Sequence, residues 1–258
     1  MRTLSGEMRC MVCNGKSFDL RYGVAPLVNQ VTRCTTTYED ESPISRGFVV
    51  LSGVVSLLTA PSLPAQLIAN WNAAGEPNGT MPKLLALWLF PALTAGILIL
   101  FAAIPRIDPL REHIAEFRTY YDWFVVIFTG YMFLVHAGVV AFNLGYEFDF
   151  TVLILIGIAG LFYYSGVVLL HAEQNWFVGI RTPWTLSSEE VWARTHALGG
   201  RLFQLTAILT LVGLLFGDYA LYFLLVPALL TAGVTVVYSY YLYERIERSS
   251  DTPSKSNL

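Results

Sequence analysis

Apolar and polar residues are segregated into long blocks along this chain. Six apolar runs stand out: Phe48 to about Leu63, Leu84 to Ile104, Tyr121 to Leu144, Phe150 to Leu170, Leu202 to Phe216, and Tyr219 to Tyr243. A helix crossing a bilayer needs about 20 mostly apolar residues, and four of the runs reach that length. The first is short and is closed by Pro61 and Pro64. The polar segments between them differ in character. PSLPAQLIANWNAAGEPNGTMPK is rich in Gly, Pro and Asn and reads as a hydrophilic loop. Arg106 to Tyr120 carries Arg111, Glu112, Glu116 and Arg118 at helical spacings and reads as a helical linker. Gly145–Asp149 and Gly217-Asp218 are short turns. Tyrosines such as Tyr219, Tyr222, Tyr238, Tyr240, Tyr241 and Tyr243 crowd the ends of the runs. Such rings favour the membrane interface because the body is apolar and the tip polar.

Composition agrees. Of 258 residues 55% are hydrophobic and only 14% charged, against about 25% charged in a soluble domain. The arginines then test the short first run, because cytoplasmic flanks hold the excess of Lys and Arg. With six spans and the N-terminus inside, Arg2, Arg9, Lys16, Arg21, Arg33, Arg46, Arg106, Arg111, Arg118, Arg181, Arg194, Arg201, Arg245, Arg248 and Lys255 all fall inside, and Lys83 alone outside. Removing the first span leaves the two sides nearly even. The expected fold is therefore all-α: a polytopic plasma-membrane protein with six transmembrane helices and both termini cytoplasmic. Its parts are a polar, disordered tail (1–46), a two-span domain with an outer loop (47–110), a four-span domain (111–246) and a disordered C-terminal tail (247–258).

The tail is too long and too polar to be the basic region of a cleaved signal peptide. Its Cys10-x-x-Cys13 has the spacing of half a zinc site. Only Cys34 is near enough in sequence to join, and no histidine precedes His113. The chain is read as holding no metal and no cofactor.

The densest chemistry lies between the fourth and fifth runs, in NWFVGIRTPWTLSSEEVWARTHALGGR, residues Asn175 to Arg201. Thr182-Pro183 predicts extended backbone, since the residue before proline is pushed out of the helical region. Ser187 to Glu190 has the spacing of a capping box and predicts a helix start. Trp192, Thr195 and His196 then share a side of that helix. Gly199-Gly200 allows it to bend or another helix to approach. Two readings stay open. In one, the loop is a docking site offering Arg181 and Arg194 to a partner or to lipid phosphate. In the other, Trp184 and Trp192 anchor a helix at the interface, the glutamates cap it and the arginines mark topology.

GIRTPWTL, SEEVW and THALGGRLF together resemble the signature of the bacterial and archaeal SdpI-type family. WNAAGEPNG after P-x-L-P is similar to the small domain of unknown function that often precedes it. The resemblance covers roughly residues 48 to 243. It implies immunity to a secreted killing peptide, combined with signalling by holding a transcriptional repressor at the membrane. The implied partners are thus the lipid bilayer, an extracellular peptide toxin and a cytoplasmic repressor, with no direct contact to nucleic acid. The motif positions carried over are Asn175, Gly179, Arg181, Thr182, Pro183, Trp184, Thr185, Glu189, Trp192, His196, Gly199 and Gly200, with Trp71, Asn72, Gly75 and Gly79 in the outer loop. Asn70 stands where the family pattern has histidine, which argues against a metal or proton role at that position.

His136 lies midway through the third run. An ionisable residue at that depth is either a functional group in a path through the membrane or a neutral interhelical hydrogen-bonder. The first option sustains an alternative function, a small transporter or channel-like protein. His171 and Glu173 are placed to pair with Arg181 or His196, and Gln204 and Thr206 to bond between helices. His-Glu-x-x-His, G-x-S-x-G and a phosphate-binding loop are all lacking, so the chain is not expected to be an enzyme.

Overall fold

The computed structural model describes residues 43–72 and 75–250, with side chains to 246. The expectations placed on the cysteines and on most of the N-terminal tail lie outside those residues.

Helix α1 (Pro43–Thr59) begins well ahead of the apolar run and passes into a 3-10 turn at Ala60–Ser62. Together they give a 20-residue span. The early start explains why the run looked short: Pro43, Ser45 and Arg46 are helical but not apolar. The outer loop, expected to be irregular, is instead a β-hairpin of β1 (Gln66–Trp71) and β2 (Pro77–Pro82), paired antiparallel. Helix α2 (Lys83–Ile107) follows β2 without a break, Pro82 serving as its N-cap. The charged linker resolves into a turn at Asp108, a short α3 (Arg111–Glu116) and then α4 (Arg118–Asn143). Helix α5 (Phe150–His171) is capped by the Asp149 carboxylate, which accepts from the Thr151 and Val152 amides.

The expected fifth run is the largest difference. Its membrane span and the helix predicted ahead of it form one continuous helix, α7 (Glu189–Gly213), preceded by the short α6 (Pro183–Ser187). A 3-10 turn, Leu214–Tyr219, leads to α8 (Tyr222–Ser250), which runs past the expected boundary at 246/247. Six helices, α1, α2, α4, α5, α7 and α8, are long and apolar enough to cross a membrane. This is a polytopic helical membrane protein.

Its helices are packed inside out relative to a soluble bundle. Leu58, Ile99 and Leu215 are at least 70% exposed, as suits a lipid-facing surface. The buried residues of α1 are Ser45, Ser52 and Ser56. Thr206 and Thr210 of α7 and Thr231, Thr235 and Ser239 of α8 are buried too. Lipid is as apolar as leucine, so helices gain little by burying leucine against one another. They gain from close approach and from hydroxyl hydrogen bonds. Thr206 and Thr231 supply one such bond between α7 and α8, at 3.3 Å. Close approach is visible where α5 crosses α7: a Cβ on Gly200 would sit 2.8 Å from the Gly166 carbonyl. The Gly-Gly pair therefore admits a neighbouring helix.

Successive spans alternate direction, so the hairpin and the turn before α5 share one end of the bundle. Trp71 stacks on Phe150 at 3.7 Å and meets Phe142 edge-on. The turn at Asp108 and the segment from Ala172 to Ser188 share the other end.

Candidate functional site

At the hairpin end the four outer-loop residues belong to one hairpin, Trp71 and Gly79 in its strands and Asn72 and Gly75 in its turn. The Asn72 side chain accepts from the Glu76 amide at 2.9 Å and donates to the Glu76 carboxylate at 3.0 Å. Gly75 has φ +80°, a region that disfavours any residue with a Cβ. A Cβ on Gly79 would lie 2.9 Å from the Asn70 side-chain amide. Trp71 docks the hairpin on α4 and α5. One further residue, not singled out by the sequence, closes the hairpin's edge. Asn143, the last residue of α4, accepts from Ile68 N–H and donates to Ile68 C=O, so its amide substitutes for a third strand.

The opposite end is built almost wholly from side chains that satisfy backbone groups. Asn175 is fully buried. Its carbonyl accepts from the Phe177 and Val178 amides, and its NH2 donates to the Glu173 and Val178 carbonyls. That folds the chain into a turn ending at Gly179, φ +121°. A Cβ there would fall 2.3 Å from His196 Nε2, so the absence of a side chain is what lets the imidazole reach past. His196 Nε2 accepts from Ile180 N–H at 3.0 Å, and Nδ1 lies 2.9 Å from the Trp192 carbonyl. An amide can only donate, so Nε2 carries the lone pair and Nδ1 the proton. This is a neutral imidazole with both nitrogens occupied.

Trp192 stacks on His196 at 3.9 Å and donates its indole N–H to the Ala172 carbonyl at 2.7 Å. It is 2% exposed, which overturns its expected role as an interface anchor. Burying the indole N–H requires a partner, and the carbonyl left open at the end of α5 provides it. The expected capping box is corrected as well. Ser188, not Ser187, caps α7, accepting from Val191 N–H, and the reciprocal box belongs to Thr182 and Thr185 at the start of α6. Pro183 selects that register by fixing the first helical residue. Thr182 also donates to Ser239 of α8 at 3.0 Å.

Trp184 is half-buried against Tyr240. Glu189 is exposed in the first turn of α7, and Gly199 is the position where a Cβ would strike Ile180. Arg194 forms an exposed ion pair with Glu190 at 2.6 Å. Arg181 donates to the Trp176 carbonyl at 2.5 Å, and His171 stacks on Tyr120, so neither makes the expected pairing with the other's neighbourhood.

Three residues of this site were not read from the sequence. Asp108, 2% exposed, accepts from Leu110 N–H at 2.7 Å and from Trp176 N–H at 3.0 Å. His113 Nδ1 donates to the Gln174 carbonyl at 2.6 Å. The Gln174 NH2 donates to the carbonyls of Thr185 and Leu186. A recess of about 290 Å³ opens at this end, lined among others by His113, Glu116, His171, Glu173, Glu189 and His196. Among the described residues no three His, Cys, Asp or Glu side chains are placed to hold a metal ion.

His136 lies within the bundle, fully buried. Its Nε2 is 3.0 Å from Ser56 Oγ, which also lies 2.8 Å from the Leu87 carbonyl and 3.0 Å from that of Ser52. Nε2 and the Ser56 hydroxyl share one hydrogen bond. The imidazole therefore ties α4 to α1, and through Ser56 to α2, while Nδ1 has no partner among the described residues.

The class defined by this architecture is a six-span membrane protein with a hairpin at one end and a side-chain-built loop at the other. The comparisons make it specific. Residues 171–239 match the SdpI/YfhL protein family and residues 47–95 match a domain of unknown function, DUF1648, which lies ahead of the SdpI/YfhL segment. The immunity protein SdpI of Bacillus subtilis (strain 168) is 22% identical over 207 residues, covering 80% of this chain and 97% of that protein. No solved structure matches the chain at a significant level.

Proposed function

We propose that this protein is an SdpI-type immunity and signalling protein of the plasma membrane, with both termini cytoplasmic. It resists an extracellular toxic peptide sensed at the hairpin end, and docks a soluble regulator, such as a transcriptional repressor, at the loop end. The observation that carries this reading is the connection between the two ends. Helix α2 leaves β2 without a linker, and at its far end Asp108 holds the Trp176 amide of the loop. A displacement of the hairpin is therefore transmitted along one helix to a loop whose backbone is held by side chains. Such a switch requires the peptide to bind two arrangements of the spans with different affinity. The recess between α3, the end of α5 and α7, with Glu116, Glu173 and Glu189 in its lining, suits a basic side chain of the docked regulator.

The test is a pull-down from solubilised membranes at matched abundance. A soluble regulator that copurifies with the wild type is expected to be lost from the Arg181→Ala/Trp184→Ala double variant. The same set of proteins from both samples would overturn docking through this loop. Asp108→Asn is expected to retain the regulator and lose its release on exposure to the toxic peptide. The unpartnered Nδ1 of His136 supports a second reading, a path across the membrane. That reading gains if His136→Ala abolishes protection while the loop variants leave it intact.

A further inference from the structure

Trp176 is held in an unusual way. Its N–H is taken by the Asp108 carboxylate, its C=O by the Arg181 guanidinium, and the next amide, of Phe177, by Asn175. The backbone is thus fastened from both sides while Trp176 is 50% exposed and Phe177 36%. Two adjacent aromatic rings are held outward on a rigid knuckle, five residues beyond the last residue of α5, His171. The cation differs from two arginines at the same end. The neighbouring Arg194 is neutralised by Glu190 and, across the same end, Arg118 by Asp122. Arg181 makes no ion pair among the described residues and is exposed, with one of its five N–H groups on the Trp176 carbonyl. Aromatic rings at the boundary of a span favour the headgroup region. A guanidinium presents a planar fork of donors that matches phosphate.

We propose that Trp176, Phe177 and Arg181 form a binding site for an anionic phospholipid headgroup of the surrounding bilayer. The rings lie at the boundary of headgroups and acyl chains, and the guanidinium takes the phosphate. The site shares Arg181 with the proposed docking loop but does not rest on that reading, and lipid quenching reads it with no regulator present. It also assigns the interface anchor of the loop to a different tryptophan from the two that the sequence suggested: Trp192 is buried and Trp184 packs on Tyr240, whereas Trp176 has its ring in the open.

The test uses the full chain in vesicles of equimolar phosphatidylcholine and phosphatidylglycerol, with bromine placed near the headgroup on one lipid or the other. The fluorescence difference between wild type and Trp176→Phe isolates this indole. Brominated phosphatidylglycerol is expected to quench it about fivefold more than brominated phosphatidylcholine, the enrichment that about 1 kcal/mol per basic residue near an anionic surface provides. Arg181→Gln is expected to bring the ratio to about one. Quenching of Trp88 and Trp123, both exposed on spans, is expected to stay unchanged and so reports an intact fold. Equal quenching by the two lipids in the wild type, or a preference that survives Arg181→Gln, overturns the headgroup site. An indole quenched by neither lipid overturns membrane contact altogether and frees the knuckle for a soluble partner.

Discussion

The two ends of this bundle solve one problem in different ways. Each must satisfy backbone N–H and C=O groups where the chain leaves the helices. The hairpin end does so with a ladder, strand to strand, completed at one edge by the Asn143 amide. The loop end, from Ala172 to Ser188, has no strand, and its turns are held by Asn175, Asp108, Gln174, Thr182, Thr185 and His196. A ladder tolerates sequence change because backbone supplies both partners. A loop stitched by side chains does not, because each removal strands a donor or acceptor. Asn175, Gly179, Thr182, Thr185 and His196 are structural in their contacts, and they hold outward the residues available to partners.

If that contrast is right, the largest effect belongs to Gly179→Ala. It combines a positive φ with a collision on His196, and is expected to cost roughly 3–4 kcal/mol. The denaturation midpoint in detergent micelles measures it, and a near-neutral result would mean the loop rearranges freely. Asn175→Ala comes next, at about 2–3 kcal/mol, because it strands the part-buried Phe177 and Val178 amides together with the Glu173 and Val178 carbonyls. Asn143→Ala at the hairpin end is expected to cost about 1 kcal/mol by the same measurement. Only the one residue Ile68 loses its partner there, and water can replace it. If Asn143→Ala proves as damaging as Asn175→Ala, the contrast between the ends fails. The smallest effect falls on Arg194→Ala, an exposed pair four residues apart on one helix, at less than about 0.5 kcal/mol.

Legibility followed the range of the interaction. The six spans were readable because they rest on local hydrophobicity, and even α1, short as an apolar run, was recovered by the distribution of arginines. The hairpin was missed because Gln66–Trp71 and Pro77–Pro82 carry too little alternation, and their pairing depends on docking against α4 and α5. The cap of α7 was off by one residue. The Ser187–Glu190 spacing competed with Thr182-Pro183, and the Thr182 hydroxyl, besides its local partner Thr185, gains a second partner in Ser239, 57 residues away.

By itself the sequence determined a six-span membrane protein and pointed to the segment around residues 175–200, since block hydrophobicity and a linear motif survive without knowledge of contacts. Tertiary structure decided what each polar residue in that segment does. Whether Trp192 faces lipid or the Ala172 carbonyl, whether Arg181 pairs with an acid or pins Trp176, and that Asp108 belongs to the loop at all, depend on groups brought together from different helices. A hydrogen bond acts over about 3 Å, and its partner along the chain lies wherever the packing of the spans puts it.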